Sequence, residues 1–322
     1  MDSDDPREAI DHALHAAVRA PSVHNTQPWR FVVRGPVVEV CLDGDRVLTV
    51  ADPDGREARL SCGAALLNLR VALRAAGRAV VVDPLPDPAH PELLATVRVA
   101  GRRPATPAER DLADAVGNRT TNRRPFVDRI VPGSERSALV AAADAEGAHL
   151  LLLDTPRALE TFATLLRRAD QRQEDDPDYQ AELRAWTTGD PARHDGVPSA
   201  AGGPRPAGTP LLKLRDYPGR RTAEREFEQD PLVAMVTTAG DTALDHLRAG
   251  QAMQRALLVA TSAGLGASFF SQPIEQPDLR AALRTGLTAG AHPQAVLRIG
   301  YGHRGAPTPR RPVAEVTSYR TE

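Results

Sequence analysis

The stretch Ala20-Pro21-Ser22-Val23-His24-Asn25-Thr26-Gln27-Pro28-Trp29-Arg30-Phe31 sits where the periodicity of the chain changes. Ahead of it, Ala9, Ile10, Ala13, Leu14, Ala17 and Val18 share one helical face over residues 6–19, after an acidic start that suits a helix N-terminus. Behind it, Phe31, Val32 and Val33 read as a strand, and Pro21 and Pro28 keep the interval out of helix. The interval carries a hydroxyl, an imidazole and two amides, enough donors and acceptors to satisfy a polar heterocycle or a sugar-like chain. Ser and Asn are equally common in a plain helix cap and turn, so the loop by itself leaves both readings open.

Outward from this loop, residues 37–42 and 46–50 read as a hairpin around Asp43-Gly44, and residues 60–76 as a long helix ended by Gly77. Strands follow near residues 79–82 and 95–99. Part of this order returns later. The helix beginning Gly63-Ala64-Ala65-Leu66 and reaching Gly77 aligns without gaps on Gly250-Gln251-Ala252-Met253 to Gly264. His90-Pro91 leading to Val97-Arg98-Val99 is matched by His292-Pro293 leading to Leu297-Arg298-Ile299. Two halves related by duplication are expected, although alanine-rich helices also resemble one another by chance.

The 322 residues, 41% hydrophobic and 25% charged, fit one large or two packed globular domains, without an apolar run long enough to span a membrane. The acidic first residues lack the character of a secretory leader, so a cytoplasmic protein is expected. Cys41 and Cys62 are the only cysteines and have no metal-ligand spacing. A net charge of -2 argues against a general nucleic-acid surface. Lys213 is the sole lysine among 40 basic residues, so an arginine here must be judged by its spacing. Residues 171–237 degrade into acidic, Gly-rich and Pro-rich sequence around Trp186 and read as a long insertion that packs over something as a lid.

Three further segments carry chemistry. In Asn118-Arg119-Thr120-Thr121-Asn122-Arg123-Arg124-Pro125-Phe126 an extended chain would turn Arg119, Thr121 and Arg123 to one side, as a grip on an anion. A solvated basic stretch is the plainer alternative. In Ala263-Gly264-Leu265-Gly266-Ala267-Ser268-Phe269-Phe270-Ser271-Gln272-Pro273 the glycines follow a helix. They either cap it or let backbone approach a flat ligand. Tyr301-Gly302 leads to Arg310-Arg311-Pro312, a late basic pair that closes on the same anion or decorates a tail.

Together these segments resemble the FMN-dependent nitroreductases, over most of the chain. Pro21, Ser22, Asn25, Gln27, Pro28 and Trp29 match that family's Pro-Ser loop, with His24 inside it. Arg119, Thr121 and Arg123 match its arginine segment, Gly264, Leu265 and Gly266 its glycine loop, and Arg310, with Arg311 as a near substitute, its late arginine. The order departs from the family's, because here the arginine segment follows the Pro-Ser loop and no second Pro-Ser loop comes after it. The arrangement is similar to that of the Acg-type proteins, which resemble a nitroreductase dimer fused in one chain.

The resemblance implies an α+β fold of two halves, residues 1–115 and 116–322, joined through long central helices into a monomer that behaves as a pseudo-dimer. It implies one FMN held between them. Ser22, Asn25 and Gln27 would meet the ribityl chain and ring edge, and Arg119, Thr121, Arg123 and Arg310 the phosphate. Ser271 and Gln272 would lie near the pyrimidine and N5. Redox chemistry would reside on the flavin, with NAD(P)H as donor, a small-molecule acceptor, and no catalytic acid, base or metal. The competing expectation is a flavin-sequestering protein whose lid admits no substrate.

Overall fold

The computed structural model describes residues 6–208, 210–219, 224–228 and 231–320. Helix α1 (Pro6–Ala17) buries Ile10, Ala13, Leu14 and Ala17. There follow strands β1 (Trp29–Arg34) and β2 (Val37–Leu42), helix α2 (Arg56–Ala75), strands β3 (Arg78–Pro84) and β4 (Leu93–Arg102), and helix α3 (Pro107–Asn118). Next come α4 (Gly133–Asp144), β5 (His149–Leu152), α5 (Pro156–Asp175), α6 (Pro177–Ala185) and β6 (Leu232–Thr238). The chain then gives α7 (Ala243–Ser262), β7 (Leu265–Phe269), α8 (Pro277–Gly286), β8 (His292–Tyr301), the single turn α9 (Val313–Val316) and β9 (Thr317–Tyr319).

The longer strands form two sheets, ordered β9-β1-β2-β4-β3 and β7-β8-β6-β5. Within them only β9 beside β1 is parallel. Mainly antiparallel sheets with segregated helices make this an α+β fold. Among the described residues no helix is long and apolar enough to cross a membrane.

Helices α2 and α7 pack between the sheets. Each is 20 residues long, and Gly63 and Gly250 occupy the same position, the eighth, in their respective helices. They meet at the crossing. A Cβ added at Gly250 would strike the Leu60 carbonyl oxygen, and one at Gly63 that of Leu247. The alignment of these helices in the sequence therefore coincides with their contact in space. Behind the crossing, Asn68 and Gln254 join in a buried hydrogen bond from Gln254 Nε2 to Asn68 Oδ1 (2.7 Å).

The structure corrects three expectations. Residues 46–50 form no strand, and the hairpin partner of β2 is β1. The Val50 and Ala51 N–H groups donate instead to the Glu182 carboxylate (3.0 and 2.9 Å), which draws this stretch beneath the insertion. The boundaries of residues 171–237 also change, because 171–175 complete α5 and 232–237 belong to β6. Strand β6 is buried at every position, with Ala234 and Val236 facing the central core and Val233 and Met235 a second cluster beneath Phe162 and Phe270. A strand covered on both faces shows no polar alternation to read. The charged run at 220–228 lies partly outside the described residues. Finally, the segment 116–322 does not stay in one half, since β9 crosses back to pair with β1.

Replacing Gly63 or Gly250 by Ala should destabilise the protein by about 1–3 kcal/mol in urea unfolding, the usual cost of overpacking. Gly44→Ala is the control, because a Cβ there meets nothing within 4 Å, and its midpoint should scarcely move.

Candidate functional site

The α1–β1 loop is held in an unusual conformation. His24, Asn25 and Gln27 all have positive φ (48°, 58° and 53°), a region that costs non-glycine residues energy and clusters at functional sites. Side chains fix it there. Ser22 Oγ accepts the Gln27 N–H (2.9 Å). Asn25 Nδ2 donates to the Gly196 and Pro309 carbonyls (2.9 and 3.0 Å), and its Oδ1 accepts from Arg310 Nη1 (3.0 Å). Gln27 Nε2 donates to the His194 carbonyl (2.9 Å) while its Oε1 accepts the Arg311 N–H (2.8 Å). The two amides thus tie together the loop, the insertion and the chain beyond β8.

The loop forms one wall of a cavity of about 970 Å3, open mouth included. Helix α2 contributes Glu57, Leu60 and Ser61, α7 Met253, and the segment after α3 Thr121 and Arg123. Ser271, Thr308 and Arg310 complete the frame. Val197, Leu214, Arg215 and Tyr217 of the insertion close over it. Leu48 and Ala51 pack with Tyr179, Leu183, Val197 and Tyr217 in a separate apolar cluster that seats the insertion. Arg46 pairs with Asp195, which also binds Arg193 (2.5 Å). Trp186 lies under both arginines, at 5.4 and 5.5 Å, so it anchors the insertion from outside the cavity.

His24 lines the cavity, is 3% exposed, and has no hydrogen-bond partner among the described residues on either ring nitrogen. Burial, reinforced by Arg215 and Arg123, holds its pKa well below the ordinary value. It is therefore a neutral imidazole offering one donor and one acceptor to an occupant. Buried polar atoms ordinarily find partners, which makes two orphaned nitrogens facing a cavity informative.

A second anomaly concerns charge. Arg119 is buried and Arg310 half-buried, and no acid among the described residues pairs with either. Burial and then Arg19 push the Arg119 pKa down to about 10. Burial, Arg119 and Arg19 push that of Arg310 to about 9. The Nε atoms of both lack partners among the described residues. A guanidinium does not give up its proton readily, so an anion placed here would relieve the repulsion.

Of the expected site residues, the structure gathers Pro21, Ser22, His24, Asn25, Thr121, Arg123, Ser271 and Arg310 around the cavity. The others stand elsewhere. Arg119 is the extended residue that caps α3, and it lies behind the lining beside Arg310. Trp29 is in the β1 core and Gln27 behind the loop. Gly264 ends α7, while Gly266 gives room to Phe126 and Asn122 and not to a ligand. Gln272 is fully buried, with Nε2 3.4 Å from the Lys213 carbonyl. Arg311 faces Asp43 and Glu315 (3.8 and 3.7 Å). Sequence reasoning missed Glu57 and Ser61. The only local sign for Glu57 was Asp52, whose carboxylate caps α2 by accepting the Glu57 and Ala58 N–H groups (2.9 and 2.8 Å).

Residues 2–41 and 116–301 match the Nitroreductase family, and the chain belongs to that family. A Mycobacterium tuberculosis (H37Rv) protein provisionally named NAD(P)H nitroreductase Rv3131 is 36% identical over 98% of this chain and 92% of its own length. The protein of the same strain provisionally named NAD(P)H nitroreductase acg is 34% identical, over 98% and 97%. Among solved structures, a nitroreductase with bound FMN from Desulfitobacterium hafniense is 10% identical, with a TM-score of 0.42 over 65% of this chain and 97% of that one.

If the arginine pair awaits an anion, inorganic phosphate should raise the thermal midpoint of the flavin-free protein, by about 1.4 kcal/mol at tenfold excess over its Kd. Arg119→Met should abolish that response and leave the phosphate-free protein at least as stable as before. A midpoint in the wild type that ignores phosphate would count against the site.

Proposed function

We propose that the chain is an FMN-binding oxidoreductase that takes a hydride from a dihydronicotinamide and passes two electrons to a small acceptor. The observation that carries this reading is Arg119, buried, and Arg310, half-buried, both without an acid partner among the described residues, beside a cavity with orphaned polar atoms. A flavin with a terminal phosphate has the matching chemistry: an anion for the guanidiniums, hydroxyls for Ser22 and Thr121, and ring heteroatoms for His24. Names of relatives and of FMN-bound family members agree with it. When bound, FMN would supply the redox chemistry, which the side chains need not perform.

The residues then have separable tasks. Arg119, Arg310 and Arg123 would hold the phosphate by charge-assisted hydrogen bonds. Asn25 and Gln27 would act indirectly, by holding the loop and Arg310 in register. Leu60, Met253 and Val296 offer apolar surface for a flat ring, and the insertion excludes water.

A second reading, in which the protein stores flavin behind a closed lid, is favoured by the bonds from Asn25 and Gln27 to Gly196 and His194 and by the Arg46–Asp195 pair. Two measurements follow. FMN should bind about 100-fold more tightly than riboflavin in fluorescence titration, since two charged contacts of about 1.5 kcal/mol each would be lost; equal affinities would reject the phosphate assignment. Asp195→Ala should speed anaerobic bleaching of the bound flavin by a dihydronicotinamide if the insertion gates access. Bleaching that is fast in the wild type and unchanged in the variant would remove the storage reading.

A further inference from the structure

Glu57 is a carboxyl group that the cavity has no structural reason to contain. It lies on the first turn of α2, between the two stretches that match the family, is 5% exposed, and lines the cavity. Its Oε1 accepts from Arg56 Nη2 (2.8 Å), whereas Oε2 is buried without a partner among the described residues. Arg56 is itself shared, donating through Nη1 to the backbone and side-chain oxygens of Gln294 (2.8 and 3.1 Å).

The surroundings hold acid and base together. Asp52 stands ahead of the same helix and Glu275 beyond β7, against Arg56 on α2 and Arg215 on the insertion. Arg215 is engaged by Glu275, through contacts of 2.7 and 2.8 Å. Asp52 is raised by burial, a rise opposed by the two N–H groups it caps and by Arg56 and Arg59. Of these carboxyls, Glu57 has an oxygen buried in the cavity wall without a partner among the described residues, and it is the one placed to carry a proton. Burial, then Glu275 and Asp52, against the opposing pull of Arg56 and Arg215, move the Glu57 pKa up to about 8. His24, the other titratable group facing the cavity, stays neutral and cannot compensate.

We propose that Glu57 is the proton-holding group of this cavity: as a neutral acid it donates a hydrogen bond from Oε2 to the bound ligand, and it yields that proton when a substrate is reduced there. The second half rests on the reading of the chain as a dihydronicotinamide-dependent reductase. Delivery of a hydride equivalent to an acceptor leaves an anion that must gain a proton. The Oε2–H bond breaks, the proton bonds to the anionic atom of the reduced acceptor, and the electron pair stays on a carboxylate already paired with Arg56. Solvent water restores the proton when product leaves.

Infrared spectroscopy of the flavin-free protein at pH 7 should show a protonated carboxylic acid band that titrates near 8, disappears in Glu57→Gln and shifts when FMN is added. The Gln variant should keep its FMN affinity within about twofold and its KM, yet lose about 100-fold in acceptor reduction, the lower range for a general acid. The wild-type fall in rate above about pH 8 should be absent from it. If the variant does not fold, wild-type stability carries the test. The folded carboxyl keeps its proton to about 8 while the unfolded one loses it near 4.5, so stability should fall as pH rises between those values and level off above. A wild-type protein without the acid band, or with one that FMN leaves unmoved, overturns the proposal even if turnover is fast. Absence of flavin binding instead fails the reductase reading and the release step with it, while the band still reports who holds the proton.

Discussion

Two missing side chains set the distance between the halves of this molecule. At the crossing of α2 and α7, Gly63 and Gly250 let the backbones touch, and any larger residue on either helix would meet a carbonyl oxygen of the other. The cavity depends on that separation. Leu60 and Ser61 lie on α2 within a turn of the crossing and Met253 on α7 within another, so both helices present side chains to the same ligand. Closely packed interiors transmit such spacing with little slack. The arginines that frame the site come from farther away, yet they close on a floor whose width is fixed here.

Against this rigid floor, the α1–β1 loop stores unfavourable energy. Three left-handed residues in four positions, and two neighbouring cations without counter-ions among the described residues, persist only because the surroundings over-determine them. The hydrogen-bonding capacity of Asn25 and Gln27 is occupied by the protein itself. What remains for a ligand is a smaller set: the hydroxyls, the imidazole of His24, the guanidiniums, and one carboxyl group.

The α+β class, the central helices and most of the cavity's frame were legible because each leaves a local mark. Gly63 and Gly250 align in sequence because they do the same job in space, and Pro21 to Trp29 announce a loop through prolines and polar residues. What was hidden depends on contacts at a distance. The strand-like appearance of residues 46–50 yielded to a carboxylate from α6, at Glu182. The start of α2, and with it Glu57, was obscured because the cap is a side chain four residues ahead of the helix. Arg119 and Arg123 were expected side by side, but Arg119 caps the end of α3 while Arg123 lies farther along the segment that follows, so only Arg123 lines the cavity. No spacing rule separates a glycine that makes room for a ligand from Gly266, which makes room for Phe126.

The return of β9 to β1 has a consequence for how the protein is made. Phe31 and Val33 sit in a strand whose second neighbour is residues 317–319, so during synthesis β1 remains an open sheet edge until those residues emerge. Arg310 and Thr308 precede that strand and arrive just before it. A nascent chain that stops short of them carries both a pairing-prone edge and an unfinished cavity. For this molecule, completing the cavity wall and covering β1 depend on the same stretch of chain.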